Sequence, residues 1–183
     1  MKEEEMTVSF KDDSGSIVTI TRDNVVNVIA PDAQLNDVEV SQFLNMCKYL
    51  KLNPFTKEVF IIKHSGSPAT FIESFHSFLK RAERNPNFDG YDVTVDGNIP
   101  DMTATATVYR KDRSHPVKIT LSYAEIAQKT SNAWRTMPSY MLRKAALSRA
   151  LREAFPSEIG NVATEDIAET PDTTEQQPEQ TIS

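Results

Sequence analysis

Two prolines, Pro138 and Pro156, bracket "SYMLRKAALSRALREAF", a stretch with no glycine, no further proline and many strong helix formers. Proline suits a first helical position and cannot continue a helix, so the pair marks a start and a stop. A helix of this length needs a partner against which to bury its apolar stripe. The chain supplies a sheet directly upstream. "DGYDVTVDG", "MTATATVYRKD" and "HPVKITLSY" alternate apolar and polar residues with turn signals between them, the pattern of an antiparallel meander.

The N-terminal half follows the same logic. "TVSF" and "SIVTIT", separated by "KDDSGS", predict a short hairpin. "TRDNVVNVIA" reads as a short helix capped by Thr21 and stopped by Pro31. From Asp37 to Leu52, Asn36 is placed as N-cap with Glu39 three residues on, and Val40, Phe43, Leu44, Cys47 and Leu50 recur at helical spacing. "EVFIIKH" predicts a strand. "ATFIESFHSFLKRAERNP" predicts a helix with Phe71, Phe75, Phe78, Leu79 and Ala82 on its apolar stripe, and with Lys80, Arg81 and Arg84 where the dipole favours cations. The expected fold class is therefore α+β: helices packed on a small antiparallel sheet, an N-terminal hairpin, a basic C-terminal helix and a disordered acidic tail. Residues 1–159 are expected to form one core domain and residues 160–183 the tail, which has too little apolar content to offset its ordering entropy.

The net charge of −6 conceals a strong segregation. Residues 110–153 hold 10 Lys/Arg against 3 Asp/Glu, while residues 154–183 hold 7 acidic residues and no basic one. A basic element flanked by acidic ends points to a polyanionic partner, which the whole-chain charge read as a single number argues against. On a helical wheel, Tyr140, Leu147, Leu151, Ala154 and Phe155 share one arc, predicted to face the core. Ala145, Arg149 and Arg152 fall opposite, Arg143 borders the apolar arc, and Lys144 lies within it, where it must snorkel or sit past the packed region.

Trp134 and Arg135 precede this helix, and "YRKDRSHPVK" places Arg110, Lys111, Arg113 and Lys118 on or beside one hairpin. Cations neutralise phosphates and an exposed aromatic ring stacks on an unpaired base, so the combination suits a single-stranded nucleic acid. The candidate DNA-binding set is Arg110, Lys111, Arg113, Lys118, Trp134, Arg135, Arg143, Lys144, Arg149 and Arg152.

Other chemistries find less support. His64, His76 and His115 lack partners at metal-ligand spacing, no phosphate-binding glycine loop is present, and no catalytic residue, metal or cofactor is expected. Asp89, Asp92, Asp96 and Asp101 imitate a magnesium site, which keeps a metal-dependent nuclease as an alternative, although aspartate is common around turns for local reasons. A single-strand-binding protein that coats without annealing is the nearer alternative. The lone Cys47 reads as a core residue and cannot form an internal disulfide. No apolar run approaches the roughly 20 residues of a membrane span, so a cytoplasmic location and no membrane partner are expected.

"LNPFTKEVF", "FDGYDVTV", "YRKDRSHPVKIT" and "WRTMPSYMLRKAALSRALREAF" occur in the order and spacing of the RecT/Redβ-type phage single-strand annealing proteins, which residues 40–158 resemble. The resemblance implies an ATP-independent recombinase that forms homo-oligomeric rings or helical filaments, and that the cytoplasm is that of a bacterial host. It implies binding of single-stranded DNA and of the annealed duplex intermediate in a basic groove, beside a phage exonuclease or a host single-strand-binding protein. It also implies that Lys111, Trp134, Arg135, Arg143 and Arg152 lie near DNA. Ser139 and Ala145 stand where the Redβ branch carries lysines.

Overall fold

The computed structural model describes residues 6–12, 14–128, 130–159 and 163–164. The fold is α+β, with small antiparallel sheets and helices, and the chain divides into two compact units. One unit takes the described residues of Met1–Arg84 and Ser157–Glu165, and the other those of Asn85–Pro156.

In the first unit, β1 (Thr7–Lys11) and β2 (Ile17–Thr21) form the expected antiparallel hairpin. Thr21 caps α1 (Arg22–Asn24), which continues as one π-helical turn over Val25–Ile29. The capping box at Asn36 and Glu39 starts α2 (Asp37–Leu50), and both reciprocal bonds are present at 2.9 Å. Val18, Ile20, Val25, Val40, Phe43, Leu44, Cys47, Leu52 and Val59 build the core of this unit. The Glu39 carboxylate also accepts from Lys63 Nζ at 2.7 Å and from the Ala69 amide at 3.0 Å, pinning the loop after β3 (Val59–Ile62) to the start of α2.

The segment expected to be one helix from Ala69 onward is instead a strand and then a helix. Thr70–Glu73 forms β4, antiparallel to β3 with Phe71 opposite Ile61, and Ser74 caps α3 (Phe75–Glu83). The apolar residues 71–82 fit either period, and pairing with β3 decides the first four. Beyond α7 (Pro156–Ile159), residues Ala163–Thr164 form β8, parallel to β4. Arg81, fully buried, pairs with Glu73 at 2.5 Å and donates to the Glu158 and Ile159 carbonyls, which fixes the approach to β8.

The second unit is the predicted meander with the predicted helix on one face. β5 (Phe88–Asp96), β6 (Thr103–Arg110) and β7 (Val117–Ser122) are antiparallel in that order. Short helices α4 (Tyr123–Ile126) and α5 (Asn132–Thr136) lead to α6 (Pro138–Ala154), with Pro138 in its first turn. α6 packs across all three strands. Ala104 and Ala106 of β6 are fully buried, and small side chains there let the helix axis approach the sheet closely.

Candidate nucleic-acid interface

Strand register sorts the side chains of the meander. Tyr91, Val108 and Val117 stand in one cross-strand row, Val93, Ala106 and Ile119 in the next, and Val95, Ala104 and Leu121 in the third. These rows face α6. The alternate rows face away: Asp92, Thr107 and Lys118; Thr94, Thr105 and Thr120; Asp96, Thr103 and Ser122. The outer surface is thus rich in hydroxyls, with Thr105 and Thr120 bonded at 2.9 Å and Lys118 as its cation.

The helix differs from its wheel. Met141, Leu142, Lys144 to Ser148, Ala150, Leu151 and Ala154 are all buried, so burial runs almost all the way round rather than along one arc. Two expectations are corrected. Ala145, predicted on the open side, is buried, and Tyr140, predicted in the core, is 45% exposed. Alanines on both sides of the helix permit close packing in directions that a search for large apolar residues does not detect.

The ten candidate residues fall into three groups. Lys111, Arg113, Lys118, Arg135 and Arg149 are exposed, and Arg143 and Arg152 are partly so. Arg135 donates to its own helix's Asn132 side chain at 2.8 Å, which orients it without neutralising it. Arg110 is held by the fold. Its guanidinium meets both Asp112 carboxylate oxygens, at 2.8 and 2.7 Å, donates to the Ala154 carbonyl and stacks 4.7 Å from the Phe155 ring centroid. That cation therefore closes the C-terminus of α6, and the arginine pulls Asp112 below its usual carboxylate range.

Lys144 and Trp134 are not on the surface. Lys144 is 5% exposed, its ammonium 5.4 Å from the centroid of the Tyr140 ring, as expected of a lysine lying within an apolar arc. Trp134, expected to offer an open π-face, is 1% exposed and tilts against Tyr123 with centroids 6.0 Å apart. Burying a large indole in the short α5 contributes more than leaving it in water. Its Nε1 has no hydrogen-bond partner among the described residues.

Other aromatics are exposed in its place, and the sequence reading missed them. Tyr140 lies next to Ser139 in the first turn of α6, and Tyr109 is 37% exposed on the outer side of β6, close to the Lys111 and Arg113 turn. Tyr109 followed from strand alternation alone, since it continues the row parity of Thr103, Thr105 and Thr107. A hydrogen bond to Asp92 pushes its phenol above the ordinary value of 10.0.

Lys118 projects from the sheet face away from α6, whereas Arg149 is on the exposed side of the helix. Lys118 and Arg149 therefore lie on opposite sides of this unit.

The acidic cluster is dispersed. Asp92 and Asp96 are four residues apart on one face of β5, roughly 13 Å at the rise of a strand. Among the described residues no group of three or more His, Cys, Asp or Glu is placed to hold a metal ion. No helix among the described residues is long and apolar enough to cross a membrane.

A family model described as the RecT family matches residues 11–182. The Recombination protein bet of Escherichia phage lambda is similar, at 26% identity over 185 residues, covering 93% of this chain and 67% of the phage protein.

Proposed function

The chain belongs to the RecT family, and from that premise we propose that it is a phage single-strand annealing recombination protein that works without nucleotide hydrolysis. The observation that carries this reading is the extent of the match, which spans residues 11–182 and so includes both units. The exposed cations add the chemistry. Lys111, Arg113, Lys118, Arg135 and Arg149 lie within 39 residues of sequence, with Tyr140 exposed among them and Tyr109 exposed just before them. Cations lower the repulsion between two phosphate backbones, and rings in reach of unpaired bases hold a strand without reading its sequence.

The mechanism needs no covalent step. A bound strand presents its bases, a second strand tests pairing, and correct pairing recovers stacking of about 1.4 kcal/mol per step. The protein offsets repulsion and keeps register. Because Lys118 and Arg149 lie on opposite faces of one unit, a continuous track along a strand requires several copies side by side, which favours a ring or a filament over a monomer. A nuclease that exposes single strands is the partner such an activity calls for. Arg110, Lys144 and Trp134 serve this surface indirectly, by fixing α6 and its approach.

The test is annealing of two complementary labelled oligonucleotides with no nucleotide present. Catalysed annealing, with both strands intact in magnesium, is expected. Binding without acceleration would reduce the protein to a coating function, and loss of labelled strand would point to hydrolysis instead.

A further inference from the structure

Between Arg22 and Arg81 the first unit has seven Lys/Arg residues, and four of them meet carboxylates: Arg22 with Asp37, Lys63 with Glu39, Lys80 with Glu58 and Arg81 with Glu73. The other three, Lys48, Lys51 and Lys57, are exposed and make no ion pair among the described residues. They lie within ten residues of one another, at the C-terminal end of α2 and the 3-10 turn that follows. Tyr49, between the first two, is 85% exposed, the most open large apolar side chain described. Phe55 is open as well, and shares the rim of a shallow groove with Lys57, Val28 and Val59.

We propose that Lys48, Tyr49 and Lys51 form a second contact for single-stranded nucleic acid, with the lysines on backbone phosphates and Tyr49 stacked on a base. The proposal rests on the single-strand binding proposed above and extends it to the first unit.

Packing does not explain the patch. Tyr49 is on the solvent side of α2, opposite Val40, Phe43, Leu44 and Cys47, so its ring contributes nothing to the core. Lys51 and Lys57 both hold left-handed backbone, at φ 57° and 59°, positions that ordinarily go to glycine or asparagine. The helix dipole favours a cation at the end of α2. It gives no reason for an open tyrosine beside it, nor for a second left-handed lysine six residues later. The turn between them is rigid: the Asn53 side chain accepts from the Phe55 amide at 3.0 Å, and the Asn53 amide donates to Glu58 at 2.7 Å. Exposed cations flanking an open ring match what an unpaired strand offers, charge on one side and a π-face on the other. An acidic peptide would use the lysines but has no use for the ring.

The experiment measures binding of labelled oligothymidylate, of single-stranded RNA of equal length and of duplex DNA across a salt series. Lys51→Gly suits the left-handed backbone, so Lys48→Gln/Lys51→Gly removes both charges in a folded protein. It is expected to reduce the salt slope for a single strand by about 1.4, two phosphates at roughly 0.7 each. Tyr49→Ala is expected to weaken single-strand binding about tenfold at every salt concentration and to leave duplex binding unchanged, because paired bases offer no face for stacking. Equal losses on RNA and DNA identify the backbone and base face as what is read, and a loss on one alone names that strand as the ligand. Wild-type binding with both variants unchanged overturns this contact and leaves the annealing function standing. Wild-type protein that binds no single strand overturns both. Lysine-dependent losses equal on single strand and duplex, with Tyr49→Ala silent, overturn the proposal in favour of a general electrostatic surface.

Discussion

The guanidinium of Arg110 lies 4.7 Å from the centroid of the Phe155 ring and donates to the carbonyl of Ala154, the last residue of α6. A cation at the end of β6 thus closes the helix that packs on β6. By charge alone Arg110 belongs with Lys111 and Arg113, but its contacts give it a structural task.

Arg110→Ala should therefore act on stability. Loss of a charge-assisted bond and of the ring contact is expected to cost about 2 kcal/mol, or roughly 4–8 °C in thermal midpoint. Arg110→Lys should recover little, since a lysine cannot bridge Asp112 in a fork while covering Phe155. The check is thermal unfolding beside a salt series of single-strand binding. A large change in salt slope with no change in midpoint would return Arg110 to the DNA surface.

Arg149 and Lys144 make the opposite pair. Arg149 is exposed on α6, and Lys144 is buried against Tyr140. Arg149→Gln is expected to weaken single-strand binding and lower the salt slope by about 0.7, the contribution of one phosphate. Lys144→Met, close in volume, should leave binding unaltered and shift stability by less than about 1.5 kcal/mol. Equal losses of affinity in two folded variants would show that Lys144 reaches the DNA.

Trp134 provides an internal reporter, as the only tryptophan in the chain. An indole that is 1% exposed should emit at short wavelength, resist quenching by acrylamide and lose no intensity when an oligonucleotide binds. Trp134→Ala should cost about 3–5 kcal/mol, the range for an aromatic removed from a core. Strong quenching by bound single strand in the wild-type protein would mean that the ring stacks on bases after all.

The contrast between the two ends of the chain locates what the sequence could reveal. Asn36 with Glu39, and Pro138 with Pro156, are local chemistry, and the helix boundaries they mark are largely those observed. Phe71 was not decidable in that way, because its strand depends on pairing with Ile61 across the loop pinned by Glu39. Tyr140 and Ala145 were misplaced because the wheel assumes one apolar arc, whereas α6 is buried on nearly every side. At the site, the exposed lysines and arginines were legible from charge clustering. The separation of Lys118 from Arg149 was not, because it is set by which sheet face α6 covers.

The segment after α6 gives a prediction about where the folded part of the chain ends. Thr164 is fully buried and pairs with Glu73, the carboxylate that also meets Arg81. A chain stopped after residue 159 would remove β8 and leave the β4 edge bare, whereas one stopped after residue 165 would keep both. The shorter chain is expected to be less stable by about 1–3 kcal/mol through lost strand bonds and exposed polar groups, and the longer one to match the full chain. Denaturant midpoints of the three proteins decide it. Equal midpoints would place the boundary at residue 159.

Cys47 yields a pH dependence with a definite sign. Burial pushes its thiol from the ordinary 9.0 to about 12, so the folded protein keeps the proton where the unfolded chain releases it. A pKa raised by folding stabilises fully below the unfolded value, and that contribution is lost as pH rises through the window from 9.0 to about 12. Stability should thus decline across that window, and the decline should be shallower in Cys47→Ala, which lacks the proton to lose. At neutral pH the thiol, fully buried in the core of the first unit, should react with a disulfide reagent only as fast as the core opens. Rapid stoichiometric modification of the native protein would show that the core around Phe43, Leu44 and Leu52 is looser than its packing indicates.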